Sequence, residues 1–250
     1  MVGTGCSGTN AYRYGTMKNW VVSLTIVLAD GTILKTRQRP MKSSAGYDLT
    51  RLFVGNEGTL GLVTEAVLRV TILPKNIRVA VAAFPNIHAA AECVDKVVSR
   101  GVQVAAVELL DEVSMRAINE GGGVSRRWKE VPTLFFKFSG TVEGVNEEIA
   151  IVSEMAKSSG SENIVLAADE QEAEDLWMAR KTIGWGMGVL KKHDDDKTWL
   201  TDVAVPMSRL PDLIVTTKKD LAESGLPAAI VGHVGDGNFH SESGVLIAGP

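Results

Sequence analysis

The chain is poor in several things. Its 250 residues hold two cysteines, Cys6 and Cys93, too few for a disulfide framework, so both are expected as reduced thiols. No stretch approaches the roughly 20 apolar residues that a membrane-spanning helix needs. Positive charge is not in excess: 26 Lys and Arg stand against 30 Asp and Glu, a net charge of −4, which argues against a nucleic-acid surface. Internal repeats and low-complexity segments are missing. What remains, 45% hydrophobic and 22% charged, is ordinary for a globular protein and long enough for one large domain or two modest ones.

Histidine is also scarce, with four in all, which makes the placement of two of them informative. His233 and His240 flank the Gly235-Asp236-Gly237-Asn238 turn inside Gly232–His240. The turn follows Ala228, Ala229, Ile230 and Val231, an apolar run expected as a buried strand. Glycines at 235 and 237 permit angles that other residues avoid, so the chain can fold back and bring the imidazoles together. Neutral imidazole is a common ligand for divalent metals and a common general base. A structural pair, capping backbone groups or solvated, is the alternative from spacing alone.

Two glycine-rich stretches stand near the start. Gly3-Thr4-Gly5-Cys6-Ser7-Gly8-Thr9-Asn10 formally matches the nicotinamide-dinucleotide fingerprint. That fingerprint needs a strand before it and a helix after it. Two residues precede Gly3, residues 11–15 show no helical apolar period, and Asp30 belongs to a hairpin turn between strands expected at 21–28 and 33–36. A loop of Gly, Ser and Thr remains, able to surround a pyrophosphate with amides and hydroxyls. The second stretch, Gly55-Asn56-Glu57-Gly58-Thr59-Leu60-Gly61, opens a strand expected at 63–72. Glycine this dense before a strand suggests a flat or charged group near the backbone, or else a β-bulge with its turn. With no Gly-Lys-Ser/Thr step, a Walker loop is excluded.

Pro74 marks the expected boundary between a domain over 1–73 and another over 74–250. Beyond it, strands expected at 77–84, 104–110, 134–138, 164–166 and 199–205 alternate with helices near 87–100, 111–119, 145–158, 170–183 and 208–224. This order predicts an α+β domain with an antiparallel sheet covered on one face. The acidic run 191–197, with His193, is expected as a solvated loop. Arg180 sits late in its helix, where its planar fork could meet a substrate carboxylate. The residues alone favour a surface pair with Glu172 or Asp175.

Taken together, residues 1–17 (MVGTGCSGTNAYRYGTM), 54–64 (VGNEGTLGLVT), 201–206 (TDVAVP) and 232–240 (GHVGDGNFH) resemble the FAD-linked oxidases of the vanillyl-alcohol oxidase type, in particular the D-lactate dehydrogenase (cytochrome) group. The resemblance implies a partial PCMH-type FAD-binding domain over 1–73 and a truncated substrate, or cap, domain over 74–250. It assigns Gly3, Gly5, Ser7, Gly8, Thr9, Gly15, Glu57, Gly58, Gly61 and Val63 to FAD. His233 and His240 become catalytic residues and ligands of a divalent metal, zinc by preference, and Arg180 binds the substrate carboxylate. The implied reaction oxidises a D-2-hydroxy acid, most simply D-lactate to pyruvate, and passes electrons to cytochrome c or a similar acceptor, in a mitochondrial setting. D-2-hydroxyglutarate or glycolate are the alternative substrates. The family pattern also expects further FAD-domain sequence upstream and a Glu-His-Gly segment downstream, with residues 241–250 unlike the family strand. A zinc site of two imidazoles alone would be weak, and residues 1–73 would have open sheet edges. The competing expectation is a non-catalytic fragment that binds a partner chain through those edges.

Overall fold

The computed structural model describes residues 1–38, 44–121, 127–186 and 197–245. Most of the acidic run, including His193, lies outside the described residues, as do the last five. The chain forms two compact units, Met1–Leu73 and Pro74–Pro250. No described helix is long and apolar enough to cross a membrane.

In the first unit two single-turn helices, α1 (Ala11–Tyr14) and α2 (Met17–Trp20), lead into β1 (Val21–Val27), which is followed by β2 (Ile33–Lys35), α3 (Leu49–Phe53) and β3 (Leu62–Leu68). The sheet order is β2-β1-β3, with both pairings antiparallel. Asp30 accepts a hydrogen bond from the Thr32 amide at 2.9 Å, closing the β1–β2 turn. The small core gathers Val21, Leu24 and Ile26 from β1 with Phe53 and Val54. β3 is largely exposed, and beyond it Val70 and Ile72 are 88% and 89% exposed.

The second unit contains β4 (Asn76–Ala83), α4 (Ile87–Ser99), β5 (Ala106–Leu110), α5 (Glu112–Gly121), β6 (Thr133–Gly140), α6 (Val142–Ser158), β7 (Ile164–Leu166) and α7 (Glu170–Gly186). β8 (Lys197–Leu200), β9 (Val203–Ala204), α8 (Leu210–Ser224), β10 (Ala228–Gly232) and β11 (Asn238–Val245) complete it. The helix ends are written in the sequence. Asn86 caps α4 by accepting from the Ala89 amide at 2.9 Å, and Gly101 leaves it with φ +73°. Thr141 caps α6 through the Gly144 amide, and Gly225 ends α8 in the left-handed region. These are the residue types that satisfy orphan amides and tolerate positive φ.

The large sheet runs β7-β4-β6-β5-β10-β11-β8, with β9 paired to β11, and every pairing is antiparallel. It is covered on both faces rather than one. Val79, Val81, Ala106, Leu110, Phe135, Ala229 and Val231 pack with Met115 and Ile118 of α5 and with Leu176, Trp177 and Ile183 of α7. The alternate residues Ala80, Ala82, Leu109, Leu134, Phe136, Phe138 and Ile230 are equally buried, on the side that carries α4, α6 and α8. The strands read as near-continuous apolar runs because both of their faces are inside. Two further expectations change. The stretch 199–205 is broken into β8 and β9, because Thr201 and Asp202 turn aside to bond β11. Residues 241–245, part of a tail expected to be unlike the family's apolar strand, nonetheless form the second half of β11, held between β10 and β8.

Gly237 has φ +69°, and a Cβ there would overlap the Val205 carbonyl oxygen; Gly225 has φ +70° with open space around it. Gly235, expected to need unusual angles, lies instead within the 3-10 turn Val234–Asp236. Gly225→Ala should cost about 1–2 kcal/mol, the penalty of a left-handed alanine. Gly237→Ala should cost clearly more, read as a larger drop in the urea midpoint. Equal drops would show that the Val205 contact does not constrain the turn.

Candidate functional site

In the first unit the two glycine-rich loops lie against each other. The amide of Gly55 donates to the Val2 carbonyl at 3.0 Å and that of Glu57 to the Gly3 carbonyl at 2.9 Å. Gly5, at φ +61°, approaches so closely that a Cβ would stand 3.3 Å from the Gly55 Cα. The packing does not require glycine at Gly3, Gly8 or Gly58, where a Cβ would meet open space, although Gly58 adopts φ +84°. The backbone there is open to an outside group, and Ser7, Glu57 and Gly58 are exposed. Two assigned glycines have internal reasons. Gly15, at φ +75°, would press a Cβ onto Asn19, and Gly61 would press one onto Ile26 and the Val27 carbonyl. Val63 packs against the core of this unit, and Thr9 is half-buried.

Asn56 organises the second loop and carried no sequence signal beyond its place between glycines. It is 8% exposed. Its side-chain amide donates to the Phe53 carbonyl, its Oδ1 accepts from the Gly58 amide at 2.6 Å, and its own carbonyl accepts from the Thr59 hydroxyl at 2.6 Å. Glu57 is left at φ +49° as the one described non-glycine residue with positive φ, a strained state that persists only when its surroundings hold it.

In the second unit His233, His240 and Arg180 converge on the α5–α7 face of the sheet. The two imidazole rings stand edge to face with centroids 5.4 Å apart. Arg180 is 6% exposed. Its ion pair is with Glu108 rather than with Glu172 or Asp175, Nη2 donating to Oε2 at 2.6 Å. Its Nε is buried without a hydrogen-bond partner among the described residues. Glu108 is 1% exposed in the middle of β5 and also meets His233 Nδ1, at 2.9 and 3.0 Å from its two oxygens. Sequence reasoning missed Glu108. The available signal was a lone charge inside the apolar run Ala105–Leu110, since a buried charge must be paired.

These contacts fix the ring chemistry. A backbone carbonyl can only accept, so His240 Nδ1, 3.2 Å from the Thr201 carbonyl, carries the proton and leaves the lone pair on Nε2. Burial pushes the His240 pKa down, which keeps the ring neutral. Glu108, paired with the Arg180 guanidinium, likewise accepts a hydrogen bond from His233 Nδ1. In the neutral ring each histidine keeps its lone pair on Nε2, with the other nitrogen tied down as metal-binding imidazoles usually are. The stretch Thr201–Pro206 supplies the frame. Thr201 exchanges bonds with Ser241, Asp202 accepts from the Asn238 amide at 2.7 Å, and the Val203 carbonyl accepts from the same group at 3.0 Å. No group of three or more His, Cys, Asp or Glu able to hold an ion occurs among the described residues.

Glu242 lies two positions beyond His240 on the same face of β11 and is 6% exposed. Burial pushes its carboxyl up to about 7. A raised carboxyl binds its proton more tightly folded than unfolded, so stability falls as pH rises through the interval from its ordinary value to about 7. Thermal midpoints should decline across that interval, and Glu242→Gln should flatten the decline and raise the midpoint at about pH 8. A Gln variant with the wild-type pH profile would show that Glu242 is solvated.

Residues 73–243 match the family model of FAD linked oxidases, C-terminal domain. Among curated relatives, the mitochondrial D-lactate dehydrogenase [cytochrome] of Kluyveromyces lactis is 46% identical over 96% of the chain. D-lactate dehydrogenase [cytochrome] 1 of Saccharomyces cerevisiae, also mitochondrial, is 48% identical over 96%. The chain spans 42% of the length of each. Among solved structures, an alkyldihydroxyacetonephosphate synthase superposes with a TM-score of 0.73 at 18% identity, covering 97% of this chain and 50% of that one. At that identity the likeness concerns the fold.

Proposed function

The chain belongs to the FAD linked oxidases, and on that premise we propose that it is part of a flavin-dependent D-2-hydroxy-acid dehydrogenase, with D-lactate as substrate and pyruvate as product. The observation that carries this reading is Arg180: a guanidinium almost wholly buried, aimed by Glu108, with Nε unpartnered among the described residues and close to two imidazoles. An unsatisfied buried donor costs about 1–3 kcal/mol, and a substrate carboxylate would satisfy it. The names of the yeast relatives supply the substrate class, a cytochrome as electron acceptor and a mitochondrial setting.

The open amides and left-handed glycines of the two loops fit a pyrophosphate-bearing cofactor. Gly3, Gly5, Ser7, Gly8, Thr9, Glu57 and Gly58 would hold it, with Gly15, Gly61 and Val63 shaping the loops from beneath. FAD, if held by these loops, would supply the two-electron oxidant needed for a carbinol carbon to become a carbonyl. Arg180 would hold the carboxylate, and the two imidazoles would meet the hydroxyl, able to accept its proton or to hold a metal that acidifies it. Such fixed placement is worth several kcal/mol, roughly 7–11 in the best intramolecular cases. For zinc, two imidazoles fit two of the three or four protein positions the ion takes, so further ligands would have to join them.

The test is an absorbance spectrum of the purified chain after incubation with FAD and desalting. A retained flavin band that bleaches anaerobically with D-lactate is expected. A folded, soluble chain that retains no flavin would remove the cofactor assignment from these loops. In a flavin-loaded preparation Arg180→Lys should raise KM for D-lactate about ten- to hundredfold, the equivalent of a charge-assisted hydrogen bond of roughly 1.5–3 kcal/mol. An unchanged KM would take the carboxylate away from Arg180.

A further inference from the structure

We propose that Glu108 is the positioning residue of this cluster, fixing at once which nitrogen His233 presents and where the Arg180 guanidinium lies. The inference rests on the reading of the cluster as the acid-binding site, but its geometry stands without FAD or substrate. Glu108 comes from β5, Arg180 from α7 and His233 from the end of β10, separated by 72 and 125 residues. One carboxylate, 1% exposed, is the shared acceptor of both. Its Oε2 meets Arg180 Nη2 at 2.6 Å, while its two oxygens share His233 Nδ1.

The consequences follow from hydrogen-bond inventory. A carboxylate paired with a guanidinium accepts only, so His233 must donate from Nδ1, and the neutral ring then carries its lone pair on Nε2. The same carboxylate balances the guanidinium, so Arg180 can stay buried without a substrate. Glutamine in this place has the shape but not the chemistry. Its carbonyl can accept from one partner, and its amide then turns a donor on the other. Glu108 touches neither acid nor cofactor in this account and acts through the two residues it holds.

The test begins with side-chain nitrogen NMR of the purified 250-residue chain at about pH 8, where an unperturbed imidazole is neutral. His233 and His240 should both register as Nδ1–H tautomers. A wild-type His233 protonated at Nε2 overturns the proposal outright. In Glu108→Gln, His233 should lose its single tautomer or Arg180 its fixed guanidinium resonance, while His240, held by Thr201, stays unchanged. Because the Gln variant strands a buried arginine, the double variant Glu108→Leu with Arg180→Met is the companion that removes both charges, a replacement that folded proteins often tolerate. His233 should lose its fixed tautomer there too, and a His233 that keeps it shows that the ring is ordered by something else. Titration with zinc chloride alone gives a second readout. Loss of an outer-shell carboxylate weakens metal binding by about ten- to hundredfold, so Glu108→Gln should show that loss, and equal affinities of wild type and variant count against the positioning role. A wild-type chain with the expected tautomers but no zinc affinity would refute the metal reading and leave Glu108 in its role.

Discussion

A carboxylate sealed into the middle of a sheet must be neutralised where it sits, and much of the second unit is arranged around that requirement. Glu108 faces the side of the sheet covered by α5 and α7, among Ala106, Leu110 and Val231. Water cannot solvate it, so the fold supplies a guanidinium from above and an imidazole from the neighbouring strand end. Each partner is constrained in return. Arg180 cannot swing out without stranding the acid, and His233 cannot change tautomer without facing a lone pair with a lone pair. Breaking a buried pair by removing one member typically costs about 3–5 kcal/mol, so the cluster resists loosening one residue at a time.

His240 is held by a different means. Its frame is backbone: the Thr201 carbonyl, and the break between β8 and β9 that brings that carbonyl and Asp202 beside β11. Two rings of the same chemistry are thus ordered by two independent devices, a buried charge for one and a strand irregularity for the other. β-Irregularities beside functional residues are a recurrent way of re-aiming a side chain. The left-handed Gly237, pressed against Val205, keeps the connecting turn from relaxing.

Much of this architecture was legible in the residues. The helix expected near 87–100 could be read from its apolar period and the glycine after it, because periodicity and helix termination are local matters. The hairpin at Asp30 and the two-histidine turn are local for the same reason. What could not be read was non-local. The covering of both sheet faces is a property of packing order, and strands buried on both sides look alike from either side in sequence. From the residues alone Arg180 favoured a surface pair, because its buried partner lies 72 residues away, and only the family resemblance gave it a substrate-binding role; Glu108 was passed over because nothing near it in the chain responds to its charge. The strand in 241–245 was missed for lack of apolar alternation: Ser241, Glu242 and Ser243 are polar yet buried, paired on both sides by backbone.

The strand order has a consequence for the growing chain. β5 joins β6 on one side and β10 on the other, and β10 lies more than a hundred residues later. Until it is made, β5 is an edge with unpaired amides and carbonyls, the kind of surface that captures other chains. An inward-pointing charge on an edge strand is among the devices that discourage such capture. Glu108 supplies that charge before its histidine exists, so the residue that later orders the cluster would first guard the unfinished sheet.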